Sequence, residues 1–121
     1  MHLWKKVYIM ENYSETQQNE LLDSSTFSKL SSFFKVIGDE TRVKIIYALS
    51  KKEMCVNEIA CILEISQSAI SHQLKQLKLE GQVKSRRDGK NIYYSLDDQH
   101  IVDILNQALN HIRHKMNEHN I

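Results

Sequence analysis

The chain has 121 residues, 41% of them hydrophobic, with 16 basic and 15 acidic side chains and a net charge of +1. That length predicts one domain with a modest core, and the near-neutral sum excludes a bulk polycation, so any nucleic-acid surface must come from local charge patterning. No apolar run is long enough for a membrane span, the Leu3–Met10 stretch lacks the form of a signal segment, and two cysteines make no disulfide framework, so a cytoplasmic protein with no membrane partner is expected.

Residues 1–13 have no clear period and read as a mobile N-terminal arm or a first short helix that packs on a partner, leaving 14–121 as the folded domain. Ser14-Glu15-Thr16-Gln17 has the form of a capping box and starts an expected helix to about Leu22. From Thr26 to Ile37, Phe27, Leu30, Phe33, Phe34 and Ile37 recur at helical spacing, and Gly38 suits the position just past the end. Asp39 then caps a helix whose Val43, Ile45, Ile46 and Leu49 are expected to face inward. A third helix begins near Val56, with Ile59, Ala60, Ile62 and Leu63 apolar. Cys55 and Cys61, six residues apart, read as small core hydrophobes.

After a turn at Glu64-Ile65, Ser66 is a natural N-cap for a helix running to about Glu80 and stopped by Gly81. Ala69, Ile70, Leu74 and Leu77 form its expected buried stripe. Gln67, Ser68, Ser71, His72 and Lys75 remain on the outside of its first turns. Two helices joined by a tight turn, with hydrogen-bonding groups on the first half of the second, are what reading a major groove requires.

Val83–Arg87 and Asn91–Leu96 read as strands joined at Asp88-Gly89, a pair that predicts a hairpin with a type I′ turn. Arg86, Arg87 and Lys90 gather near its tip. Between Lys75 and Lys90 six basic residues face two acidic ones, a local excess suited to a phosphate backbone. A basic-tipped hairpin directly after a recognition-type helix predicts a mainly α winged helix-turn-helix.

The last helix, Asp97 to about Asn117, holds Asp98, His100, His111 and His114, with Asp97 or Asp98 capping its first turn. His100 and His111 share a face but stand roughly 16 Å apart along the axis, so no single ion touches both within one helix. Each end carries half a site. A second copy laid antiparallel brings Asp98 and His100 of one chain beside His111 and His114 of the other, and two-fold symmetry makes two such sites. The apolar stripe of Ile101, Ile104, Leu105, Ala108, Leu109 and Ile112 suits that helix to dimerisation. Three imidazoles and one carboxylate suit Zn(II), or Co(II) in its place, whereas softer ions prefer thiolates. A saturated four-ligand site leaves no position for activated water, and no nucleophile elbow, phosphate loop or triad is present, so an enzyme is not expected.

The segments FKVIGDETRVKIIYAL, SQSAISHQLKQLK, VKSRRDGKNIYYSLDDQHI and ALNHIRH together resemble the ArsR/SmtB family of metal-sensing winged-helix repressors, over about two-thirds of the chain. The resemblance implies a repressor that binds an inverted-repeat operator in double-stranded DNA as a metal-free homodimer joined through its terminal helices. Asp98, His100, His111 and His114 resemble the C-terminal-helix site of the zinc/cobalt-responsive CzrA/SmtB type, so Zn(II) or Co(II) is the implied effector. By the same likeness Gln67, Ser68, Ser71 and His72 contact bases or phosphates. A ligand imidazole of the family also donates its second N–H to a backbone carbonyl at the end of the recognition helix, here near Gly81. The family's thiol-using branches carry Cys-x-Cys where this chain has Cys55-Val56-Asn57. Sensing of a thiol-reactive signal or soft metal through Cys55 is therefore the alternative.

Overall fold

A computed structural model of the chain describes residues 22–119. The arm expected over residues 1–13 and the helix expected from Ser14 lie outside them. No helix among the described residues is long and apolar enough to cross a membrane. The chain divides between Lys35 and Val36 into two units.

The described part of the first unit is most of helix α1 (Ser24–Ile37). Asp23 caps it: Oδ1 accepts the Thr26 N–H at 2.8 Å and the Ser25 hydroxyl at 3.0 Å, and these bonds hold its carboxyl below the ordinary carboxylate range. Phe33 and Phe34 meet edge to face with centroids 5.4 Å apart. The periodicity at Phe27, Leu30 and Phe34 does give a helix, but it buries none of them; each stays about half exposed.

The second unit begins with the end of α1 and continues through α2 (Glu40–Lys51), β1 (Met54–Cys55), α3 (Val56–Leu63), α4 (Gln67–Leu79), β2 (Val83–Asp88), β3 (Asn91–Leu96) and α5 (Gln99–His119). Asp39 caps α2 by accepting the Arg42 N–H at 3.1 Å. Ile45, Ile46, Ala48 and Leu49 of α2 are buried, but Val43 is 40% exposed, contrary to the inward position expected for it. Helical spacing fixes a face only to within a residue, and Val43 lies at its margin. Ala69 departs in the same way on α4, where Ile70, Leu74 and Leu77 alone reach the core.

Ile45, Ile59, Ile70, Leu74 and Leu77 are fully buried and join α2, α3 and α4 in one cluster with Met54, Val83, Leu96 and Ile101. Each large aliphatic side chain there contributes about 1.5–3 kcal/mol of transfer free energy. Three strands lie in the order β1-β3-β2, both pairings antiparallel. The short β1 was not legible in the periodicity; it pairs Met54 with Tyr94 and Cys55 with Tyr93.

The hairpin is closed by Asp88 opposite Asn91, so its two loop residues are Gly89 and Lys90 rather than Asp88 and Gly89. Only Gly89 has positive φ there, at +64°. This fits a type II′ turn, not the expected type I′ with two such residues. Asp97 N–H donates to the Gln82 carbonyl at 3.0 Å and ties off the open end of the hairpin.

Candidate nucleic-acid interface and metal centre

Helices α3 and α4 form the helix-turn-helix. Glu64, at φ +56° and ψ +42°, turns the chain out of α3, with Ile65 N–H donating to the Ala60 carbonyl at 3.1 Å. Ser66 starts α4 as expected, its Oγ accepting the Ala69 N–H at 3.2 Å. Gly81, at φ +73°, stops it. Gly81 N–H bonds the Lys78 carbonyl and Gln82 N–H the Leu77 carbonyl, satisfying two of the last carbonyls of the helix.

With Ile70, Leu74 and Leu77 buried, α4 exposes Gln67, Ser68, His72 and Lys75, and leaves Ser71 half-buried. The helix is held on both sides. Arg42 of α2 donates from Nε to Gln73 Oε1 at 2.8 Å and from Nη1 to the Val36 carbonyl at 3.1 Å. Lys78 Nζ donates to Ser85 Oγ of β2 at 2.7 Å, linking the helix to the hairpin. A rigid helix presenting amide, hydroxyl, imidazole and ammonium groups matches the chemistry of groove edges and phosphates.

The hairpin's cations are unequal. Arg87 and Lys90 are exposed and make no ion pair among the described residues. Arg86 is engaged within the chain. Its Nε lies 3.0 and 2.9 Å from the two carboxylate oxygens of Glu53, its Nη2 also meets Glu53, and its guanidinium covers the Tyr93 ring at 4.9 Å. The hydrogen bond from Arg86 holds the Glu53 carboxyl below its ordinary range.

On α5, Asp98 is the N-cap: Oδ1 accepts the backbone N–H of His100 at 2.9 Å and of Ile101 at 3.4 Å. The same oxygen lies 3.4 Å from His100 Nδ1. At the far end, His111 is exposed, and His114 Nε2 contacts Glu118 Oε1 at 2.9 Å. Glu118 was not anticipated, although its spacing four residues from His114 is the ordinary signal for a pair on one helix face. Among the described residues of one chain, no three His, Cys, Asp or Glu side chains are grouped to hold a metal. Asp98 with His100, and His111 with His114, thus stand as separate exposed pairs, neither of which alone makes a coordination shell. Their combined nitrogen and oxygen donors fit Zn(II) or Co(II) in number and kind. Between them, Ile101 is buried, Val102, Leu105 and Leu109 are half-buried, and Ile104, Ala108, Ile112 and Met116 are exposed.

The cysteines are not core residues. Cys61 is exposed and Cys55 half-buried. Cys55 stands at the N-cap of α3, outside the helix, where Glu58 Oε1 accepts its backbone N–H at 3.3 Å and its thiol at 3.4 Å. Those bonds, with Lys52 nearby, keep the Glu58 carboxyl below its usual range. The helix-terminal position, not packing, accounts for the partial exposure of Cys55.

Residues 39–85 match the family model of bacterial regulatory proteins of the arsR family. The cadmium resistance transcriptional regulatory protein CadC homolog of Staphylococcus aureus is 39% identical over 107 residues, 88% of either chain. The chain belongs to the ArsR/SmtB family of metal-sensing winged-helix repressors. The transcriptional repressor SmtB homolog of Synechocystis sp. is 34% identical over 96 residues, covering 79% of this chain and 73% of that one. The solution structure of apo-NmtR matches with a TM-score of 0.70 at 33% identity, over 78% of this chain and 79% of its own. As an ArsR-family member the chain is a DNA-binding transcriptional regulator and not an enzyme.

Proposed function

We propose that the chain represses transcription as a homodimer bound to an inverted-repeat operator, and that Zn(II) or Co(II) releases it by binding at two symmetric intersubunit sites. Asp98 and His100 of one chain and His111 and His114 of its partner form each site. The observation that carries this reading is the arrangement on α5: two exposed half-sets of nitrogen and oxygen donors at opposite ends of one helix, separated by an incompletely covered apolar face. An antiparallel partner helix both completes the donor sets and covers Ile104, Ala108 and Ile112.

In the dimer, the two α4 helices enter successive major grooves, with Gln67, Ser68, Ser71, His72 and Lys75 against bases and phosphates and Arg87 and Lys90 on the backbone. Asp98 and His100 of one α5 and His111 and His114 of the other would hold the ion, which would supply a cross-link between the two helices. Because an effector shifts an equilibrium only by its differential affinity, operator and metal must weaken each other by the same factor. With its metal-binding nitrogen engaged, His111 would link the two sites by donating its second ring N–H to a carbonyl near Gly81, at the end of α4.

The relative named for cadmium resistance raises a thiol-based alternative, but Asn57 stands where a second thiolate would be needed and Glu58 already engages the Cys55 thiol. Fluorescence anisotropy of operator DNA with and without metal separates the two readings. Release by Zn(II) that survives Cys55→Ser and is lost in His100→Ala supports the α5 site. Release that fails in Cys55→Ser contradicts it.

A further inference from the structure

The sheet carries a clasp across one face. Arg86 leaves the edge strand β2, passes over Tyr93 of the central strand β3 with Cζ 4.9 Å from the ring centroid, and ends on Glu53, immediately before the opposite edge strand β1. The strand register explains the reach: Tyr93 is paired with Arg86 on one side and with Cys55 on the other. Nε and Nη2 point at the Glu53 carboxylate, and Nη1 lies 3.8 Å from Asp88 Oδ2. All three guanidinium nitrogens thus lie near carboxylates, and the guanidinium carbon lies over the Tyr93 ring. The Nη1 hydrogens make no hydrogen bond among the described residues, but the positive charge of the guanidinium is compensated within the chain by Glu53 and, at longer range, by Asp88.

We propose that Arg86 and Glu53 position the wing and do not bind DNA, the clasp fixing the β2–β3 hairpin relative to the helix-turn-helix so that Arg87 and Lys90 reach the backbone in register with α4. Connectivity gives the clasp this leverage. Glu53 leads through β1 directly into Cys55, the N-cap of α3, so a tie at Glu53 joins the wing to the first helix of the reading pair. Arginine is suited to the task because its planar fork makes two parallel bonds to a carboxylate while its face stacks on an aromatic ring. The inference rests on the DNA-binding reading for the wing's purpose, but the clasp itself can be measured without DNA.

Four proteins decide it: Glu53→Gln, Arg86→Gln, the double variant, and the charge-conserving exchange Glu53→Arg with Arg86→Glu. Affinity for a short duplex of mixed sequence is measured against salt, and hydrogen exchange of the β2 and β3 amides is measured on the protein alone. Each single variant is expected to weaken DNA binding about fivefold and to speed wing exchange. The double variant should be no worse than the weaker single, the exchanged pair should recover both readouts, and the salt slope should stay unchanged throughout. Tighter binding in Glu53→Gln, together with a slope reduced by about 0.9 in Arg86→Gln, would make Arg86 a phosphate contact and overturn the proposal. Unchanged wing exchange in the single variants would also overturn it. If the wild-type chain binds no duplex, the DNA-binding reading fails, and the exchange data still decide the clasp.

Discussion

Asp98 and His100 share one oxygen: Oδ1 of Asp98 caps α5 through the His100 backbone N–H at 2.9 Å and stands 3.4 Å from Nδ1 of the same histidine. The carboxylate is thus a fold element and, in the proposed metal site, half of a donor pair. Substitutions separate the two roles. Asn caps a helix about as well as Asp but carries no charge, whereas Ala does neither. Asp98→Asn should keep thermal stability near the wild-type value and lose metal affinity. Asp98→Ala should lose metal affinity and about 1 kcal/mol of stability as well. Denaturant unfolding beside a metal titration of both variants checks this, and full metal affinity in Asp98→Asn contradicts the ligand role.

His111 is the proposed relay between the metal site and α4. Replacing it with Ala should leave DNA affinity without metal unchanged and abolish release by Zn(II), whereas removal of a merely solvent-facing side chain would change neither. Anisotropy titrations of the variant with operator, with and without zinc, read both quantities. Persistent release would remove His111 from the pathway. Because an imidazole must give up its proton to bind metal, acidification should also blunt release by the wild-type protein.

The turn between α3 and α4 holds a non-glycine residue in left-handed backbone, Glu64 at φ +56°. Such a conformation costs an L-residue about 1 kcal/mol or more, partly offset by the entropy that glycine loses on folding. Glu64→Gly should therefore stabilise the domain by roughly 0.5 kcal/mol. Gly81→Ala runs the other way. Nothing lies within 4 Å of a Cβ built at Gly81, so its expected cost of about 1 kcal/mol is purely conformational. Chemical denaturation of the two variants should show shifts of opposite sign with unchanged m-values.

Much of this fold was legible from local chemistry. Asp39, Ser66 and Asp98 cap the helices that their side-chain oxygens predicted, and Gly81 ends α4 where a left-handed residue was needed. These signals act within four residues. Several of the misses depend on neighbours distant in sequence. Two-residue β1 has no period to detect, and it exists because Tyr93 and Tyr94 offer it an edge. Arg86 and Arg87 read alike in sequence, and only the fold shows that Glu53, 33 residues away, engages Arg86. Val43 and Cys61 are apolar in type but lie on sides of their helices that the single chain leaves exposed. The proposed metal site divides in the same way: helix spacing places Asp98, His100, His111 and His114 on α5, but the partner that would join them is encoded only as an apolar stripe.

The clasp also has a pH signature. Glu53 is held below its ordinary range first by the Arg86 hydrogen bond. A carboxyl depressed in the folded state contributes stability that is present above its unfolded pKa and is lost as pH falls through the folded value. Wing exchange should therefore be insensitive to pH near neutrality, once intrinsic rates are corrected, and should rise only in acid. In Glu53→Gln that acid-dependent increment should disappear.

Whether α5 carries an intersubunit metal site of nitrogen and oxygen donors can be decided without any operator, by a Co(II) titration of the reduced, metal-free protein. An intense tetrahedral ligand-field absorption in the visible is expected to saturate at one ion per chain, with no thiolate charge-transfer band in the near ultraviolet. The visible band should be lost in His100→Ala and in His114→Ala and should return when those two variants are mixed, because the hybrid dimer restores one intact site. A thiolate band removed by Cys55→Ser, or no tetrahedral signal at all, would contradict the proposed site.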